Sequence, residues 1–159
     1  MHWLLNLLLY QGAWLVAVLA KSAWPVLAIL ALHLWLSNQR RADSRLMLLY
    51  MFIGALVDGS LSLLGLFDFG PGVYLVPLWL VALWAALAML PNHSLAWLKG
   101  RLWLNVLLGA LAGPLAYWGG VRLGAAQFGW PLMPALATLA LVWAGLWPGL
   151  MALAKREAV

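Results

Sequence analysis

Long hydrophobic runs alternate with short polar breaks along this chain. The first run covers residues 3–20 and ends at Lys21-Ser22. The second covers 23–36 and opens on Trp24-Pro25, with proline in a first helical turn where its missing N–H does no harm. Ser37 to Arg45, SNQRRADSR, is the most polar stretch of the chain and reads as a loop. The third run covers 46–67 and gives way to Asp68-Phe69-Gly70-Pro71-Gly72, a turn by composition. The fourth covers 74–98, with Pro91 expected to remove one backbone hydrogen bond and kink the helix. The fifth covers 102–124, Gln127 to Trp130 forms a turn, and the sixth covers 131–154. A bilayer asks for about 20 apolar residues per spanning helix. The pattern therefore predicts an all-α fold: a polytopic membrane protein, one integral membrane domain over 1–159, a compact bundle of six transmembrane helices.

Composition excludes the soluble alternative. Of the 159 residues, 67% are hydrophobic and 8% charged, whereas soluble domains run to about half and about a quarter. The net charge of +5 would suggest nucleic acid for a soluble protein. Here the basic residues sit between the apolar runs and read as topology signals, with no nucleic-acid partner. Arg40, Arg41, Arg45, Lys99, Arg101, Lys155 and Arg156 fall on one side, and Lys21 and Arg122 on the other. The positive-inside rule puts both termini in the cytoplasm, as an even number of spans also requires. Val18-Leu19-Ala20 resembles a signal-peptide cleavage site, but no Lys or Arg precedes it, so the first run reads as a retained helix. With no cysteine, disulfides and thiolate chemistry are excluded. Trp3, Trp35, Trp97 and Trp103 fall at cytoplasmic ends and Trp24 and Trp130 at outer ends, as interfacial belts do. Trp14, Trp79, Trp84 and Trp143 lie deeper and read as packing or lipid-facing rather than as a ligand box.

Polar residues inside the spans are the candidates for chemistry. Asp58 lies about 18 Å into the third run at 1.5 Å per residue. A carboxylate there is costly, so it is a proton-titrating group, an ion ligand or a catalytic acid, or else a structural aspartate bonded to a neighbouring helix. Gly54, Asp58 and Ser62 share a face that should look inward. On the fifth helix Asn105, Gly109, Gly113, Tyr117, Gly120 and Gly124 recur at strides of three or four. The glycine pairs permit close helix approach, which predicts a central fifth helix. Tyr117 falls at the depth of Asp58, and Arg122 can reach to the interface or back toward Asp58. Asn92-His93-Ser94 lies near the cytoplasmic end, in the same half as His33, Asn6 and Asn105. That grouping is either a shallow cavity with His93 as general base or interhelical hydrogen bonding, with His33 interfacial. The candidate catalytic residues are thus His93, Asp58 and Tyr117, and the candidate binding residues Asn6, Asn92, Ser94, Asn105 and Arg122. No linear metal or cofactor signature is present, so no metal and no cofactor are expected.

Two stretches carry a resemblance. LPNHSLAWLKGR (Leu90 to Arg101) and GPLAYWGGVRLGA (Gly113 to Ala125), with LLNLLLYQGAW (Leu4 to Trp14) and VDGSL (Val57 to Leu61), resemble an uncharacterised bacterial family of small inner-membrane proteins, domain of unknown function family 2878. The NHSLAW core is the most specific part, and the likeness spans nearly the whole chain. The resemblance implies a bacterial inner-membrane location and, through members near genes resembling cyclopropane synthase clusters, a link to membrane lipid. Three readings stay open: an accessory or scaffold protein acting on lipid, on another membrane protein or on itself as a dimer; an intramembrane lipid-modifying enzyme with a polar pocket around His93; and a small proton-coupled transporter using Asp58.

Overall fold

The computed structural model describes residues 1–73 and 75–157. Its helices are α1 (Trp3–Ala20), α2 (Ala23–Leu36), α3 (Arg40–Leu63), α4 (Leu78–Leu87), α5 (Leu102–Arg122) and α6 (Leu132–Glu157). Four of them, α1, α3, α5 and α6, are long and apolar enough to cross a membrane, whereas α2 and α4 are shorter apolar helices. Their outward faces are apolar too: Leu8, Leu48, Leu107 and Leu141 are all exposed, a surface that suits hydrocarbon and not water. Two-residue strands, β1 (Phe67–Asp68) and β2 (Gln127–Phe128), pair antiparallel with Phe67 opposite Phe128. They tie the loop after α3 to the loop after α5.

Three expectations need correction. The polar stretch Ser37 to Arg45 is not all loop, because α3 begins at Arg40 and takes in Arg40 to Arg45 as its first turns. Asp43, Met47, Tyr50, Gly54, Asp58 and Leu61 recur at strides of three or four and are all buried, so one inward stripe runs the length of the helix. Asp43 also sits in the first turn, where the helix N-terminus favours negative charge.

Nor is the fourth run one kinked helix. Its predicted start at Tyr74 lies outside the described residues, and α4 ends at Leu87. Beyond it the backbone tightens into three-residue turns: Met89 N–H donates to Ala86, Leu90 to Leu87, His93 to Leu90 and Ala96 to His93. A 3₁₀ turn follows at Ala96–Leu98. Pro91 has no N–H to continue an α-helix, and the carbonyl of Met89, which the His93 N–H would take in an α-helix, accepts from the Asn6 side chain at 3.0 Å. Such a segment is tolerated at depth only where protein covers it, and residues 88–92 are all buried.

The fifth helix is not central. Leu102, Trp103, Leu107, Leu111 and Leu115 of α5 are exposed, and its main partner is α6. The central element is α4, packed against α1, α2 and α3. The α5 glycines do serve close approach, but to α6. A Cβ at Gly109 would stand 2.2 Å from the Trp143 carbonyl oxygen, and one at Gly113 would stand 2.2 Å from the Trp143 ring. Gly109→Ala therefore drives a methyl into backbone and is expected to cost about 1–3 kcal/mol through overpacking. Gly145→Ala, with nothing within 4 Å, should be neutral or gain up to about 1 kcal/mol of helix propensity. Thermal melts of the two variants in detergent measure the contrast.

Candidate functional site

Two buried polar clusters and one apolar cleft stand out. The first cluster lies at the end of the bundle that gathers the start of α1, the end of α2, the start of α3, residues 88–101 and the end of α6. That grouping is held by Asn6–Ser94, by His33–Asp43 and by the Arg45–Glu157 ion pair at 3.6 Å. At its centre is Asp43, with 0% exposure. Its Oδ2 accepts from Ser37 Oγ at 2.5 Å and faces His93 Nε2 at 2.9 Å and His33 Nε2 at 3.2 Å. Its Oδ1 accepts from Asn92 Nδ2 at 2.9 Å, and Lys99 Nζ donates to Asn92 Oδ1 at 2.6 Å. Partial burial pushes the Lys99 ammonium down from its ordinary pKa, while the Asp43 carboxylate pulls it back up. The Arg40 guanidinium turns away, donating to the carbonyls of Ser37 and Trp35 that close α2.

Local structure explains the convergence. Ser37 ends α2, and its Oγ also accepts from the Gln39 N–H at 2.9 Å, setting the tight turn into α3. The broken winding after α4 turns Asn92 and His93 toward Asp43, while Asn6 Oδ1 takes Ser94 N and Oγ at 3.1 and 2.6 Å. Above this cluster a shallow open cup is lined by Ser37, Gln39, Arg40, Arg41, Asn92 and Lys99. Among the described residues, His33, Asp43 and His93 are the group whose donor atoms come close enough together to hold a metal ion, all within 4.8 Å of one another.

The second cluster lies deeper. Tyr117 Oη donates to Asp58 Oδ1 at 2.6 Å and Trp84 Nε1 donates to Asp58 Oδ2 at 2.7 Å. Gly54, one turn before Asp58, makes this possible. A Cβ there would stand 2.1 Å from the Trp84 ring, so the indole lies flat on bare backbone. Trp84 stacks on Trp143 with centroids 5.2 Å apart, and Phe67 stacks on Tyr117 at 5.1 Å.

The apolar cleft runs between α1 and α5, with α4 and α6 behind it. It encloses about 310 Å³. Tyr10, Trp14, Trp79, Trp84, Trp143 and Trp147 are among its walls, so the deep tryptophans pack the interior and also line an opening. The wall continues to Leu90 and Leu95, on either side of His93. Trp143 lines this wall with its ring, while its Nε1 is buried and has no hydrogen-bond partner among the described residues.

The structure brings Asn92 and His93 together with His33, and Tyr117 together with Asp58. It leaves the others elsewhere. Asn6 and Ser94 brace one another beside the first cluster. Asn105 donates to the carbonyls of Leu98 and Arg101 at 2.9 and 3.0 Å, tying the start of α5. Arg122 is exposed, away from Asp58, whose two oxygens are taken by Tyr117 and Trp84. Reasoning from sequence missed Asp43, Ser37 and Lys99. The signal for Asp43 was present, since its stride to Met47, Tyr50 and Gly54 continues the stripe already seen around Asp58.

Tyr117→Phe leaves a fully buried carboxylate oxygen without its donor, an expected loss of about 1–3 kcal/mol. In an Asp58→Asn background the same change should cost less, and a double-mutant cycle on thermal unfolding in detergent reads the coupling.

No curated protein and no solved structure matches the chain. A family model described as "Protein of unknown function (DUF2878)" matches residues 3–149. This covers α1 to α5, most of α6 and every member of both clusters, and the chain belongs to that family.

Proposed function

We propose that this protein is a small polytopic accessory protein of the bacterial inner membrane that holds the acyl chain of a membrane lipid in the cleft between α1 and α5. The carrying observation is the cleft itself: about 310 Å³, walled by aromatic and aliphatic side chains, in a chain whose long helices are apolar on their outward faces. Apolar cavities with few convergent polar groups suit ligands of this kind.

The proposed arrangement has both termini in the cytoplasm and all six helices within the membrane, α2 and α4 being completed by their flanking turns. Supporting it, Arg40, Arg41, Arg45, Lys99, Lys155 and Arg156 lie at the end of the bundle that holds both termini, while Arg122 lies at the other. This is the asymmetry of the positive-inside rule. A second reading, a lipid-modifying enzyme with His93 as base, is favoured by one observation: residues 90–95 contribute both to the cleft wall and to the Asp43 cluster. The carrier reading needs water at Asp58, but Asp58 has 0% exposure and both of its oxygens are hydrogen-bonded. A partner protein or a second copy of the chain remains part of the accessory reading.

Two measurements test the proposal. Native mass spectrometry of the detergent-solubilised protein should show a retained phospholipid that Ala116→Trp, which fills the cleft, removes. Equal lipid retention in that variant would refute the cleft. Because the chain has no cysteine, single cysteines report topology cleanly. Asn38→Cys should react with an impermeant maleimide only from the cytoplasmic face and Pro71→Cys only from the opposite one. Labelling of both from one face would overturn the orientation.

A further inference from the structure

His33, Asp43 and His93 come from three different elements and share no linear motif, yet their ligating atoms lie within 4.8 Å of one another. We propose that they form a binding site for a divalent transition metal ion, with Zn²⁺ as the best fit, at the end of the bundle that holds both termini.

The geometry is the first argument. Ligands about 2.0–2.1 Å from a tetrahedral Zn²⁺ stand about 3.3 Å from one another, and Asp43 Oδ2 lies 3.2 Å from His33 Nε2 and 2.9 Å from His93 Nε2. The two histidine nitrogens lie within 4.8 Å of one another, so a bound ion draws the imidazoles together around Oδ2. The imidazole planes cross at 86° with centroids 5.1 Å apart, so the two rings approach edge to face rather than stacked. A carboxylate oxygen has two in-plane lone pairs, yet Oδ2 meets three polar atoms: Ser37 Oγ and both histidine nitrogens. Hydrogen bonding alone crowds three partners onto one oxygen. A cation converts the same convergence into separate bonds from each ligand's own lone pair.

The surroundings are the second argument. Asn92 Nδ2 holds the other carboxylate oxygen, leaving Oδ2 as a monodentate ligand, and Lys99 anchors Asn92 in turn. Metal sites characteristically orient ligands through such outer contacts. His33 and Asp43 have fully buried side chains and that of His93 is 5% exposed. Ser37 and Asn92 open onto the cup above the cluster, which supplies an access route and room for Ser37 Oγ or a water as fourth ligand. Two neutral imidazoles and one carboxylate are the borderline donor set that Zn²⁺ accepts, and hard ions such as Mg²⁺ prefer all-oxygen sites. The Arg40 guanidinium is engaged with backbone carbonyls, and the Lys99 ammonium is separated from Asp43 by Asn92.

The full chain, carried on a tag without histidines and purified in detergent, should contain about one Zn²⁺ per chain by elemental mass spectrometry. His93→Gln and Asp43→Asn should lose the metal while keeping the helical circular dichroism and monodisperse elution of the parent. Asn92→Ala should weaken Zn²⁺ affinity about 10-fold or more. The unaltered chain decides alone should the variants fail to fold. After chelator treatment, Co²⁺ should raise ligand-field bands in the visible, and Zn²⁺ should restore a melting temperature lowered by the chelator. A chain that takes up no stoichiometric zinc, stays featureless with Co²⁺ and melts alike with and without chelator overturns the site. The cluster would then be hydrogen-bonded only. Lipid retention in the cleft plays no part in these readouts.

Discussion

A carboxylate removed from water must be matched by other polar groups, and Asp43 shows how much of a fold that requirement can organise. Leaving such a charge unpaired costs several kcal/mol, more than most single contacts return. Here the match comes from Ser37 and His33 at the end of α2 and from Asn92 and His93 beyond α4. Those partners can reach Asp43 only because α3 starts early, at Arg40, and because α4 stops early, at Leu87. The broken winding after α4 thus serves the buried acid. Asn6 completes the arrangement by tying α1 to the same segment through Met89 and Ser94.

Asp58 meets the same constraint with different means. Both of its partners are aromatic donors, Trp84 and Tyr117, and each brings a ring into the wall of the cleft. Gly54 is the permissive element, since any side chain there would displace the Trp84 indole. The aromatic assembly continues through Trp143 and Phe67 to the β1–β2 pair. A polar interaction at depth therefore shapes an apolar cavity. The result is a wall of stacked large rings beside an opening between α1 and α5, where small residues such as Gly109 and Gly113 let α6 come close.

The cleft and the Asp43 cluster are separate in chemistry but joined in structure. Leu90 and Leu95 belong to the cleft wall, and Asn92 and His93, between them in sequence, belong to the cluster. Any change at the cluster that shifts this segment, whether metal binding or a substitution, reaches the Leu90 and Leu95 end of the cleft through a few residues of covalent chain. The basic cup above the cluster, with Arg40, Arg41 and Lys99, lies at the same end.

Hydrophobic runs and their polar breaks determined the helical class, the number of helices and their approximate places, because burying backbone in hydrocarbon leaves few options besides helices. The residues around LPNHSLAW carried the family. Asp58, Tyr117 and His93 were legible as candidates because polar side chains are costly inside apolar runs. Tertiary structure alone decided the rest. Asp43 looked like loop because it sits among arginines, and only packing of the α3 stripe against the other helices shows that it faces inward. The convergence of His33 with His93 depends on how α2 and the segment after α4 come together, a contact between positions 60 residues apart that no local spacing encodes. The choice of α4 rather than α5 as the central helix likewise rests on how the helices pack. Hydropathy does not report this, since lipid and protein interiors are equally apolar.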